Sequence, residues 1–298
     1  MIGLGQLTRR NCKLFFKDRG MFFSALISPL ILLVLYATFL ARVYRDSFLS
    51  ELPEGFVMDT AIIDATVAGQ LISSLLAVSC VTVAFCSNLL MVQDRISGAR
   101  RDLTVSPVRS STLAISYFLA SLLATLIVNL TALAACMVYL LAADCWYLTL
   151  TNVLGLLADV ILLTLFGVAL SSCIHVFLST SGQGSAVGTI ISAGYGFICG
   201  AYMPISNFSE GLQNTLSLLP GTYGTALVRN HAMSGAFSEM TSAGFPPKVV
   251  EGIRRSLDCS PECFGHTVPI GGMYAILGGS VLLLLAVYVV IHKMRRGK

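Results

Sequence analysis

Residues able to do chemistry are sparse in this chain and sort into a few groups. The segment Asp94-Arg95-Ile96-Ser97-Gly98-Ala99-Arg100-Arg101-Asp102-Leu103 mixes acids, cations and apolar residues, then meets Ser106-Pro107. That mixture suits the docking of a partner, since it pairs no nucleophile with a base. A solvated loop that only sets orientation is the plainer alternative. Cys259 and Cys263 frame Ser260-Pro261-Glu262, with His266 nearby. In an oxidising outer compartment the two thiols would close a disulfide and staple their loop. A zinc site is the alternative, although four ligands are not visible. The lone acid Asp159 stands inside an apolar run, and His175, His231, His266 and His292 are scattered. No phosphate-binding G-x-x-x-x-G-K-[ST], no H-E-x-x-H and no G-x-S-x-G occurs. The chain is therefore expected to bind no ATP in that manner, hold no metal and be no enzyme by itself.

These groups are carried by a very apolar scaffold. Of 298 residues, 55% are hydrophobic and 11% charged, and the mean hydropathy is +0.81. Soluble domains carry about 25% charged residues, so a bilayer is the expected solvent for the excess apolar surface. The net charge of +4 is too small to suggest a nucleic-acid partner.

A bilayer core about 30 Å thick takes roughly 20 apolar residues of helix. Six stretches approach that length: 21–41, 67–92, 113–142, 148–172, 186–202 and 269–291. Three flanking segments hold 13 of the 19 Lys and Arg: Arg9 to Arg19, Arg95 to Arg109, and Lys293 to Lys298. Cytoplasmic flanks carry such an excess, which predicts six spans with both termini in the cytoplasm. The long charged leader and the absence of a small-residue cleavage site argue against a secretory signal in the first span.

Residues 1–20 mix Arg9 and Arg10 with Phe15 and Phe16 at near-helical spacing, as expected for a helix lying on the inner membrane surface among anionic headgroups. Residues 203–229 are apolar but broken by Pro204 and Pro220-Gly221. Two short helices dipping in from outside fit them, over about 208–218 and 222–229, followed by an outer loop at 230–268. Irregular backbone at membrane depth must be buried in protein or face a water-filled cavity. Within the spans, Asp159 is costly to insert and is expected to tie its helix to a neighbour. Asn88 and Asn129 are expected to bond between helices. Gly194-Tyr195-Gly196 echoes an ion-channel filter, but its position inside a span favours a glycine-rich packing face. The turn at His175 and Ser179–Gly184 is a second candidate contact for a cytosolic partner.

In their order the motifs resemble those of the ABC-2 type transporter permeases, the membrane subunits of type V ABC exporters. The inner loop at 93–109 has that family's acidic-basic pair as Asp94-Arg95, then Gly98, Asp102, Leu103 and Ser106-Pro107-Val108. Asp94 stands where Glu is commoner, and Ala99 where Thr is. The outer segment has Pro204, then Pro220-Gly-Thr-Tyr223, then Arg229. The resemblance covers nearly the whole chain and implies one all-α domain over 1–298: six transmembrane helices, an N-terminal connecting helix and a re-entrant outer hairpin before the last span. It implies that 94–108, with Arg101 among its cations, is the coupling helix received by a cytosolic ATPase subunit that carries ATP and Mg. It also implies pairing with a second permease copy, and a place in a bacterial cytoplasmic membrane. The expected activity is export of an amphipathic drug, lipid, peptide or glycolipid. An ion-driven transporter, a channel and a docking scaffold are the rivals, and each works without an ATPase.

Overall fold

The computed structural model describes residues 3–50, 60–105 and 108–294. They form α1 (Leu4–Lys17), α2 (Arg19–Leu35), a π-helical turn (Tyr36–Leu40), α3 (Ala41–Ser50), α4 (Thr60–Ile96), α5 (Ala99–Val105), α6 (Ser110–Ala142), α7 (Leu150–His175) and α8 (Ser181–Ile198). After a 3-10 turn (Ile205–Asn207) come α9 (Glu210–Leu216), α10 (Pro220–Ser242), α11 (Pro247–Ser256) and α12 (Ile270–Met294). The described β structure is one antiparallel hairpin of two-residue strands, β1 (Glu262–Cys263) and β2 (His266–Thr267), with Cys263 opposite His266. The molecule is an all-α membrane protein.

Among the described residues, five helical segments are long and apolar enough to cross a membrane: Arg19–Val43, Thr60–Ile96, Ser110–Ala142, Leu150–His175 and Ile270–Met294. They fall on the first four expected spans and the last. The fifth expected span, 186–202, is met by the 18-residue α8, which is not among the five. Thr180 and Gln183 form a capping box that starts α8 early. Gly200, at φ +73°, ends it early.

Helix α4 is the axis of the bundle. Its 37 residues rise about 55 Å, and α2, α6, α7, α8 and α10 all pack on it. Its apolar window is 94% buried, against 17% for α12 at the rim. Small residues permit this crowding. At Gly167 of α7, a Cβ would stand 2.7 Å from the Cys80 carbonyl oxygen of α4, so only glycine allows that backbone approach.

The segment after Pro204 departs from expectation. α9 is shorter than 208–218, and α10 runs thirteen residues past Arg229 to Ser242. Pro220 occupies its first turn, where no amide hydrogen is needed. Beyond Arg229 no proline intervenes, and Ala232, Met233, Ala236, Phe237 and Met240 recur on one buried face that outweighs the interior Gly235. Burying Met233, Phe237 and Met240 against Ile253 and Leu257 keeps the helix going. Gly244, at φ +85°, then turns the chain while Phe245 N–H bonds the Met240 carbonyl at 3.2 Å. The expected loop at 230–268 is thus half of α10, then α11 and the hairpin.

Candidate functional site

The basic end of the bundle holds a buried clamp. Arg10 of α1 donates from Nη1 and Nη2 to the two Asp94 carboxylate oxygens at 2.6 and 3.1 Å. The Tyr117 hydroxyl of α6 donates to the same carboxylate at 2.6 Å. Such bidentate, charge-assisted bonds are strong and directional. Asp94 lies at the end of α4 and is 5% exposed, so it fastens three helices and presents little surface. Arg95, the next residue, turns to the Val176 and Leu178 carbonyls that follow α7. Phe15 is buried beneath α1, whereas Arg9 and Phe16 are exposed. Phe15 and Phe16 meet edge-on, with ring centroids 5.2 Å apart.

What this end does expose is α5. Gly98, at φ +82°, makes the left-handed turn that starts it. Leu103 packs inward against the cluster of Met91, Leu113 and Tyr117. Arg101 and Asp102 point outward with Ile96 and Val105, and Val105 is 82% exposed. Ser106 and Pro107 lie outside the described residues. The outward set is small, charged and apolar together, as protein-docking faces are. In the neighbouring turn, Ser179 to Gln183 are exposed. His175 is buried and bonded to the Ser171 carbonyl at 2.8 Å, which removes it from the expected second contact.

At the opposite end the expected lid residues are locked inside. Arg229 is 1% exposed. It donates to the Gly200 carbonyl at 2.8 Å and to Asp258 at 3.5 Å. Asp258 also accepts the backbone amides of Ile205 and Ser206 at 2.5 and 3.2 Å. Burial pushes its carboxyl above the usual carboxylate range against the pull of Arg229. The Tyr223 hydroxyl donates to the Ser217 carbonyl at 2.6 Å. Pro204 is buried directly before the 3-10 turn. Arg229, Asp258, Ile205 and Ser206 border a polar cleft of about 240 Å³ that Gln213, Arg255 and Glu262 also line. Cys259 and Cys263 are both free thiols, which corrects the expected disulfide. Cys259 is drawn into the core with Met233 and Ile253, while the Cys263 sulfur lies on the hairpin 3.8 Å from the Ser217 hydroxyl. Among the described residues no group of three His, Cys, Asp or Glu side chains could hold a metal ion.

Between the two ends, Asp159 of α7 is 1% exposed. It accepts from His231 Nδ1 of α10 at 2.6 Å and from the Tyr274 hydroxyl of α12 at 2.5 Å. That Asp159 bond raises the His231 pKa above its ordinary value. Gly155 lies so close to the His231 ring that a Cβ there would come within 2.5 Å of it. Asn88 of α4 donates to Ser171 and, at 3.2 Å, to Ser172 of α7. Asn129 of α6 donates to Thr164 of α7 at 3.1 Å and accepts from Ser79 of α4 at 2.7 Å. Asp258, His231, Tyr274 and Tyr117 escaped the reading of the sequence. Each is one more polar residue until a distant partner reaches it.

The geometry thus offers an exposed α5 joined to a buried clamp and, among the described residues, no catalytic constellation. No curated protein and no solved structure matches the chain. The family model described as "ABC-2 family transporter protein" matches residues 63–291, about three quarters of the length. Such permeases form the membrane component of an ABC transporter, are not themselves catalytic and generally work with a cytosolic ATPase. The chain belongs to the ABC-2 transporter family.

Proposed function

We propose that the chain is the transmembrane half of an ATP-driven exporter, and that α5 is the element its ATPase grips. One observation carries the reading: the exposed face of α5 sits beside residues that fasten it to the rest of the bundle. Asp94 joins α4 to α1 and α6, and Arg95 joins it to the turn before α8. A push on α5 therefore reaches several helices as a rigid-body movement. Ile96, Arg101, Asp102 and Val105 supply the contact surface, and the adjoining Ser179–Gln183 turn supplies a smaller one.

The partner on the membrane side is a second copy. Helix α8 packs chiefly on α4, and its other face exposes Ser185, Thr189 and Ala193 with open space at Gly188 and Gly194. Small and polar residues mark helix–helix seams in lipid. A homodimer along this face encloses a path bordered by α8 of the two copies. The α9–α10 hairpin dips in from outside and closes the path. Both termini lie in the cytoplasm of a bacterium, and the cargo is an amphipathic drug, lipid, peptide or glycolipid.

The test is a gentle purification of the tagged chain with mass spectrometry of stoichiometric partners. It is paired with disulfide trapping of Thr189→Cys. An ATPase with a phosphate-loop motif and a trapped dimer are expected. Absence of an ATPase after crosslinking moves the ion-driven transporter ahead.

A further inference from the structure

A second cavity lies away from α8, the coupling face and the polar cleft. It is a groove of about 880 Å³ between α2, α4 and α6, within the size range of sites that hold small organic ligands. Its body is apolar, walled by Leu33 of α2, Leu71 and Leu75 of α4, and Ala132 and Ala135 of α6. One end is charged instead, with Arg42, Arg45 and Asp64. Arg45 pairs with Asp64 at 3.2 Å. Arg42 is exposed, and none of the ion pairs among the described residues includes it. Asp46, exposed one turn further on, leaves the mouth with two cations and two acids, of which Arg45 and Asp64 neutralise each other. This charged end lies far from the basic end: Arg42 follows Arg19 by 23 residues of helix, or roughly 35 Å of rise.

The backbone has been altered where the groove opens. From Tyr36 to Leu40 the helix widens, and the Ala41 amide reaches back five residues to the Tyr36 carbonyl. Such π-turns concentrate at functional sites. Tyr36 and Ala41 both line the groove, so this turn shapes the wall between its apolar body and charged mouth. Membrane helices place charged residues at the water boundary and apolar ones in the hydrocarbon. A molecule filling the groove is therefore long, apolar along most of its length and polar at one tip, where Arg42 is the cation outside the Arg45–Asp64 pair.

We infer that this groove is a binding site for a membrane phospholipid with an anionic headgroup, its acyl chain lying between α2 and α6 and its phosphate at Arg42. The site works without an ATPase, so it stands or falls separately from the exporter reading. Arg42 supplies charge complementarity without breaking the Arg45–Asp64 pair.

The experiment places the full chain in nanodiscs doped with phosphatidylglycerol carrying a photoactivatable acyl chain, then maps the adducts by mass spectrometry. Adducts are expected on the stretches 33–42, 64–75 and 132–139. At least fivefold fewer are expected on Leu282 and Leu283, which face lipid on α12 at 70% and 65% exposure. Unlabelled phosphatidylglycerol should displace the probe about tenfold better than phosphatidylcholine. Arg42→Glu should lower labelling about fivefold, and Ala135→Phe should do so by filling the groove. Leu283→Phe, outside it, should not. Equal labelling of α12, equal competition by both lipids or no groove adduct would overturn the site. Crosslinks between two copies through 33–45 would do so too, giving the groove to a second chain.

Discussion

The two ends of the bundle use buried charge in the same way and expose different things. At the basic end, Asp94 is buried between Arg10 and Tyr117, yet the helix that follows it turns Arg101, Asp102 and Val105 outward. At the far end, Arg229 and Asp258 are both buried, and their bonds run to the backbone at Gly200, Ile205 and Ser206. One end is fastened underneath and open on its face, as a lever needs. The other is fastened to the loops themselves, as a closed cap needs. Charged residues close together in sequence are thus of two kinds: Asp94 is bonded inside the bundle, and Arg101 and Asp102 are exposed.

The largest expected effect comes from breaking the far end. Asp258→Ala leaves Arg229 as an unpaired charge at 1% exposure and should cost about 3–5 kcal/mol, read as a loss of thermal stability in detergent. Arg229→Met combined with Asp258→Leu should recover only part of that loss, since it removes the unpaired charge but leaves the Gly200 carbonyl and the Ile205 and Ser206 amides without partners. Breaking the clamp should cost less. Asp94→Ala strands the Tyr117 hydroxyl, but Arg10 remains partly in water, with its side chain 33% exposed. We expect about 1–3 kcal/mol together with a loss of coupling. Arg10→Lys should restore only part of the wild-type behaviour, because an ammonium cannot form the two-pronged contact.

The tie at mid-bundle sharpens the contrast through pH. Asp159 holds His231 above its ordinary value. The stabilisation is complete below about pH 6.5, the unfolded value, and is lost as pH rises through the raised folded value. The unfolding temperature of the wild type should fall by a few degrees between about pH 6 and pH 9. His231→Asn should flatten that slope. An equal slope in the variant would assign it elsewhere.

Much of the scaffold was legible because the signals are local. Apolar length located α2, α4, α6, α7 and α12, and the family resemblance of the 94–108 motif pointed to α5. The failures share one physical cause. Asp94 reads as a surface charge until Arg10, 84 residues away, reaches it. The residues after Arg229 read as a loop because the face they bury is completed only by α11. The paired cysteines suggested a staple, yet burying Cys259 in the core and placing Cys263 on the hairpin separated them. The apolar groove left no mark in the sequence, since α2, α4 and α6 must all be in place before it exists.

The smallest expected effect on stability belongs to the residues most exposed. Arg101→Glu with Asp102→Arg should change stability by no more than about 0.5 kcal/mol, yet it should abolish docking. Co-purification of a cytosolic ATPase with the tagged wild type and with this double variant tests the central claim most directly. A stoichiometric ATPase is expected with the first and none with the second, both chains being equally folded. An ATPase held equally by both, or by neither, would contradict it.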